Sequence, residues 1–367
     1  MEYVQERIST LHSFSTACQP APVDRTAVVV PMTQREFESP AAIRMFTELE
    51  RVSPERVIVP LRTNADSVGS FRSWLAGFDL DVELLWCSGP AVSALLANNG
   101  LDGERGKGRD LWLALGLALD SQFVAVHDAD TKTYNATYVP RLVFPLAHGY
   151  TFSKGYYARI ENNRLYGRLF RLFYAPIIRA LSDTHDAEIL QYFGAFRYAL
   201  AGEFAATSEL LEHVRLPRSW GLEVGTLGEV FPHAGFDRTA QVDLGSYEHE
   251  HRSVEGPTGL SDMSRSVGQT LFQTLTEHGI DPDFETLAGR YRAVAGEFVD
   301  QYAIDAAFNG FEYDRTGELE QVEQYADAIA PPISDDRLPA WADAPIDPDD
   351  VRTAAAADLA DASPAVQ

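Results

Sequence analysis

From about Arg25 onward, short runs of uninterrupted apolar residues alternate with amphipathic stretches of helical length, and few architectures accept that alternation. TAVVVP (26–31), RVIVPL (56–61), VELLWC (82–87) and QFVAVHDAD (122–130) read as strands. Between the first two, SPAAIRMFTELERV predicts a helix with Ser39 as N-cap, Pro40 at the first position, and Met45, Leu49 and Val52 on one face. SVGSFRSWLAGF and PAVSALLANNG predict two more. A fourth begins at about Arg109, where Leu111, Leu115 and Leu119 fall in register. Strands that are apolar at every position need cover on both faces, so the expected class is α/β, with a Rossmann-like, mainly parallel sheet between helices. Ligands of such sheets sit at the carboxyl ends of the strands.

The second half, 151–310, is richer in aromatics and arginine and predicts a further α/β region followed by two helices. Met263, Val267, Leu271 and Leu275 share a face of the first; Leu287, Tyr291, Val294 and Phe298 share a face of the second. The expected organisation is an N-terminal extension (1–24), a first half of the main domain (25–150), a second half with its C-terminal helices (151–310), and an acidic tail (311–367). That tail is Pro/Ala-rich and is expected to be disordered or loosely draped.

A formal net charge of -24 over 367 residues argues against nucleic-acid and anionic-membrane partners, which need patches of Lys and Arg. Only Lys107, Lys132 and Lys154 are lysines among 30 basic residues. An acidic, lysine-poor chain suits molar salt, where repulsion between carboxylates is screened, so a halophile is the expected setting. Cys18 and Cys87 are too few for a disulfide framework and lack C-x-x-C spacing. No apolar run approaches membrane-spanning length, and the N-terminus carries acidic residues rather than a basic leader. The expectation is a cytoplasmic protein.

QFVAVHDAD raises the chemical question, because two carboxylates, Asp128 and Asp130, close a strand. Extended alternation would aim both the same way, where they repel unless a cation lies between them. Such a pair is a solvated strand end, a helix cap, or a ligand set for a hard divalent cation that also holds a diphosphate. Gly106-Lys107-Gly108 ahead of a helix adds an anion-favouring terminus and a lysine in a chain that otherwise uses arginine. His249 and His251 alternate along an extended segment, either as a polar strand face or with His249 completing a metal site.

GKG, the strand ending in HDAD, FSKGYYAR, GRLFRLFYAPIIRAL, GEFAATSELL, WGLEVGTL, AQVDLGSYEHEHR and MSRSV follow one another over residues 25–280. This series resembles the glucosyl-3-phosphoglycerate synthases and their mannosyl relatives, a family of retaining glycosyltransferases with the GT-A fold. The resemblance implies transfer of a hexose, glucose first, to a small anionic acceptor such as 3-phosphoglycerate. A UDP-sugar is the implied donor, with a GDP-sugar as the alternative, Mg²⁺ or Mn²⁺ is the implied cofactor, and a homodimer is compatible with it.

Residue by residue, the resemblance makes Asp130 and His249 the metal ligands and sets Asp128 against the nucleotide sugar. Lys107 lies against the nucleotide, and Glu223 of GLEVG belongs to the sugar and acceptor pocket. Gly167 and Arg168 of YGRLF hold the acceptor's phosphate. Pro31-Met32-Thr33 sits at the uracil, with Glu36 as the acidic residue there, although LRTNADS is a rival match. Glu223, Asp128 and Lys107 would carry catalysis, Glu223 either orienting a substrate or acting as a nucleophile. Two departures touch the acceptor: the family's Gly-Arg-x-Thr reads Gly167-Arg168-Leu169-Phe170 here, and His251 replaces its usual Asn. A nucleotidyltransferase would place a glycine-rich loop after the first strand, and PMTQREFESP has none. A non-catalytic sugar-nucleotide binding protein would have no need of the metal ligands.

Overall fold

Val28 and Val29 are sequence neighbours that join hydrophobic cores on opposite sides of one sheet. The same division runs through Val57 and Ile58, and through Val124 and Ala125, so these strands are apolar on both sides through their interiors because both faces are covered. The computed structural model describes residues 5–14, 20–218, 220–249, 257–333 and 335–362. Its strands are β1 (Ser9–Leu11), β2 (Thr26–Val29), β3 (Met32–Thr33), β4 (Arg56–Arg62), β5 (Val82–Trp86) and β6 (Phe123–Val126), followed by β7 (Phe152–Ala158), β8 (Ile160–Glu161), β9 (Arg164–Leu165), β10 (Phe204–Thr207) and β11 (Thr239–Ser246).

Among the described residues the main sheet has nine strands, in the order β1-β11-β7-β10-β6-β2-β4-β3, with β5 also on β4. The small β8-β9 hairpin stands apart. Within the main sheet β10 alone runs against both of its neighbours, β6 and β7, and every other pairing of that sheet among the described residues is parallel. The carboxyl ends of β2, β6, β7 and β11 therefore reach one edge, together with the amino end of β10. That edge gathers the segments after Val29, Val126, Ala158 and Ser246, and Glu203 just before β10.

The expected helices form. Ser39 caps Pro40–Val52 by accepting the N–H of Ala42 at 3.1 Å, and Met45 and Leu49 face the core. The other early helices span Ala65–Leu75, Pro90–Asn98 and Lys107–Ala118, the last beginning two residues before the expected Arg109. Leu271 and Leu275 are buried in the Pro257–Glu277 helix, as are Leu287 and Tyr291 in Phe284–Asn309.

The tail differs from expectation. Arg315–Ala326 and Pro348–Asp361 are helices. Trp341 stacks on Trp112, with ring centroids 4.1 Å apart, and donates its indole N–H to Trp112 O. Gly116 makes the space, since a Cβ there would lie 2.2 Å from the Trp341 ring. Asp358 accepts the N–H groups of Ala91 and Val92 at 2.7 and 2.9 Å, capping the Pro90–Asn98 helix. The acidic, alanine-rich composition that suggested disorder instead supplies a cap and small residues for close helix packing. The N-terminal segment likewise contributes an edge strand, β1, paired in parallel with β11.

Candidate active site

β6 stops where the chain turns. His127 still donates its backbone N–H to Val29 O at 3.1 Å, and Thr131 Oγ1 then donates to Asp128 O at 3.1 Å across the turn. Because of this turn the two carboxylates do not follow strand alternation. Asp128 Oδ1 accepts from Lys107 Nζ at 2.5 Å, whereas Asp130 Oδ1 lies 3.2 Å from His249 Nδ1. Gly202 permits the close approach on the far side of Asp128, as a Cβ there would stand 2.4 Å from Asp128 Oδ2.

Lys107 opens its helix, with Gly106 as N-cap. The second glycine of the motif serves packing: a Cβ on Gly108 would fall 1.8 Å from Pro217 O, and Arg109 N–H donates to Arg218 O nearby. The Lys107 ammonium thus reaches Asp128 and also comes within 3.8 Å of Glu223 Oε1. Burial alone would lower its pKa, but Asp128 and then Glu223 outweigh burial and hold it well above the ordinary lysine value. Glu223 lies in the first turn of the Leu222–Ala234 helix.

His249 is brought 119 residues along the chain to Asp130 by backbone pairing. Thr131 and His249 form an antiparallel bridge, and Lys132 N–H donates to Glu248 O at 2.8 Å. Tyr247 packs edge-on against the His249 ring at 4.7 Å and stacks flat on Tyr157 at 3.8 Å. One carboxylate and one imidazole, both partly open to solvent, suit Mn²⁺ or Mg²⁺ that arrives with a diphosphate, since Mg²⁺ commonly takes only one or two protein ligands. Among the described residues no group of three or more His, Cys, Asp or Glu forms a closed metal site.

Two charged residues that sequence reasoning missed stand behind this cluster. Glu203, 1% exposed, accepts the Tyr247 hydroxyl, which also lies 2.6 Å from Thr131 Oγ1. Burial pushes the Glu203 carboxyl above the usual range, and the Asp128 charge adds to the rise. Lys154, also 1% exposed, donates to Ala201 O at 2.6 Å; burial brings its pKa down to about 8, partly offset by Glu223 and Glu203. Lys154 lines a recess with Lys107, Gly202 and Glu223. The scarcity of lysine was the available signal: two of the three lysines converge here, while Lys132 is exposed.

The remaining expected residues are spread around the same edge. Met32 is buried in β3, and Glu36 closes a capping box by accepting from Thr33 N–H and Oγ1 at 2.7 and 2.6 Å. Their side chains are committed locally, which leaves Pro31 and Thr33 the more accessible of the four. Gly167 has φ 78° and sits against Tyr198, whose hydroxyl would be 3.3 Å from a Cβ. Arg168 precedes a π-helical turn, Leu169–Tyr174, a feature frequent at functional sites. Its Nε is 4.0 Å from Glu318, a carboxylate held more closely by Arg171 at 2.6 Å, and 44% of its side chain is exposed. His251 lies outside the described residues.

No family model matches the chain. The glucosyl-3-phosphoglycerate synthase of Methanococcoides burtonii is 34% identical over 356 residues, covering 90% of this chain and 88% of that protein. That of Persephonella marina is 34% identical over 321 residues, covering 82% and 79% respectively. Among solved structures, glucosyl-3-phosphoglycerate synthase from Mycobacterium tuberculosis in complex with Mn²⁺, UDP and phosphoglyceric acid is similar with a TM-score of 0.56 and 25% identity, over 75% of this chain and 88% of that one. The same enzyme with Mg²⁺ and UDP gives a TM-score of 0.55. With such relatives over most of its length, and a mainly parallel sheet that carries paired acidic residues at its carboxyl edge, the chain belongs to the glucosyl-3-phosphoglycerate synthase family.

Proposed function

We propose that the chain transfers glucose from UDP-glucose to 3-phosphoglycerate with retention at the anomeric carbon, in the presence of Mn²⁺ or Mg²⁺. The observation that carries the reading is the pairing of Asp130 with His249 beside Lys107 with Asp128 at one sheet edge, in a chain of this family. Family membership favours this over a nucleotidyltransferase or a non-catalytic binder.

Asp130 and His249 would hold the ion, which neutralises charge on the departing diphosphate when bound. Lys107 adds a fixed positive charge for the same leaving group. As the bond from the anomeric carbon to the diphosphate oxygen breaks, its electron pair leaves with UDP and a bond to the acceptor hydroxyl oxygen forms. The hydroxyl proton passes to a diphosphate oxygen. Positive charge developing on the sugar is faced by Glu223 and Asp128, with Glu223 orienting sugar or acceptor. Gly167 and Arg168 take the acceptor's phosphate and His251 its neighbourhood, while Pro31 to Thr33, with Glu36 shaping their loop, border the uracil.

No helix among the described residues is long and apolar enough to cross a membrane. A cytoplasmic setting belongs to the reading, because donor and acceptor are both too highly charged to cross a bilayer unaided. The test is UDP or GDP release from UDP-glucose or GDP-mannose, with and without 3-phosphoglycerate and Mn²⁺. Acceptor- and metal-dependent release from UDP-glucose is expected; no such release from either donor overturns the reading.

A further inference from the structure

Arg159 follows β7 at the same edge as Asp128 and His249. Its surroundings are mostly aromatic. Nη1 donates to the Tyr198 hydroxyl at a long 3.4 Å, Tyr157 lies two residues earlier on β7, and Tyr247 N–H donates to the adjacent Ala158 O at 3.1 Å. Among the described residues its solvent-shielded Nε has no hydrogen-bond acceptor and its guanidinium forms no ion pair. That is unusual company for a cation in a chain with 54 Asp and Glu against 30 Lys and Arg. Several other arginines here find carboxylates, Arg164 with Glu312, Arg171 with Glu318, and Arg215 with Glu229. Arg290, whose Nε is likewise shielded without an acceptor, instead gives Nη1 to Ala180 O and Thr184 Oγ1 at 3.1 and 2.7 Å, shorter than the one contact of Arg159. A guanidinium offers five donors, and shielding one from water without an anion is costly.

The place of Arg159 indicates which anion is missing. The Tyr198 hydroxyl that accepts from Arg159 is the group against which Gly167 packs, and Tyr166 N–H donates to Arg159 O at 2.9 Å. Arg159 therefore adjoins the Gly167-Arg168 loop from the side of the Tyr157–Tyr247 stack, which leads to His249. Phe170 lies on Tyr198 at 5.0 Å, so this wall offers ring faces where the family has a threonine hydroxyl.

We propose that Arg159 is a second cationic anchor for the acceptor, pairing with the carboxylate of 3-phosphoglycerate while the Gly167-Arg168 loop holds its phosphate. The planar fork of arginine suits a carboxylate, and two separated cations would select an acceptor with two anionic ends. The inference rests on the proposed transfer to 3-phosphoglycerate and adds the group that recognises the carboxylate.

The test compares the full-length enzyme with Arg159→Gln and Arg159→Lys, using UDP-glucose with 3-phosphoglycerate or with glycerol 3-phosphate, which lacks the carboxylate. Arg159→Gln is expected to raise KM for 3-phosphoglycerate by about 10–100-fold, as for loss of a hydrogen bond to a charged group, with KM for UDP-glucose changed less than about twofold. The penalty with glycerol 3-phosphate is expected to be at least about tenfold smaller, and Arg159→Lys should recover part of the loss. An unchanged KM for 3-phosphoglycerate, or equal penalties with both acceptors, overturns the assignment. Should the variants fail to fold, calorimetry on the wild-type enzyme with Mn²⁺ and UDP decides: tighter binding of 3-phosphoglycerate than of glycerol 3-phosphate supports it, and equal binding overturns it. Absence of transfer by a wild-type enzyme that still binds 3-phosphoglycerate more tightly would instead count against the proposed reaction alone.

Discussion

Lys107 Nζ stands 2.5 Å from Asp128 Oδ1 although the two residues belong to different elements, the first turn of a helix and the turn after β6. The ammonium, together with that of Lys154, counters a concentration of negative charge made by Asp128, Glu203 and Glu223. Lys107→Met is expected to lower kcat by about 10²–10³-fold, the range seen when one preorganised electrostatic group is removed. Stability should fall by about 1–3 kcal/mol, because the pair is only about a quarter exposed and the variant leaves Asp128 without its cation. Steady-state kinetics and urea unfolding of the same variant check both values. Loss of stability with activity intact would assign Lys107 a structural role.

The proposed reading gives His249 a metal role and His251 an acceptor role, and variants of the two should behave differently. His249→Ala should remove the part of UDP affinity that depends on Mn²⁺, by about tenfold or more, since Asp130 would be left as a single ligand. His251→Ala should preserve that part and alter acceptor use. Calorimetry of UDP with Mn²⁺ and with EDTA checks this, and equal losses in both variants would instead favour a site shared by the two histidines.

His127 should make stability pH-dependent. Its ring is fully buried edge-on to Tyr134 at 5.2 Å, and both ring nitrogens lack a partner among the described residues. Burial pushes its pKa down to about 3, with Asp128 opposing, against an ordinary value of 6.5. Between those values the unfolded chain holds the extra proton, so this contribution falls as pH is lowered from 6.5, by at most about 1.4 kcal/mol per pH unit. His127→Phe should show a shallower decline across that window in urea unfolding at stepped pH. Identical slopes would mean that the ring protonates without hindrance in the native state.

Trp341→Ala should cost about 3–5 kcal/mol, the usual penalty for emptying a buried aromatic site. The loss follows from the Trp112 stack and the space made by Gly116. Chemical denaturation measures it; a change below about 1 kcal/mol would mean that the C-terminal segment is only loosely attached.

The strands, the Ser39 cap and most helix positions were legible in the sequence because each depends on neighbours within a few residues, through apolar periodicity and capping. Asp128, Asp130, Lys107 and His249 were legible as residue types, and their segments resembled a known family in order and spacing. Tertiary structure decided how they pair. Strand alternation predicted a common direction for Asp128 and Asp130, but the turn after Val126 sends one to a helix terminus and the other to a residue 119 positions away. Local pattern was also silent about Glu203, Lys154 and Arg159, whose significance comes from burial and from the partners they have or lack. The same limit explains the tail. Composition described an acidic, alanine-rich segment, whereas its order depends on Trp112, Gly116 and the exposed N–H groups of the Pro90–Asn98 helix, surfaces that exist only once the rest of the chain has folded.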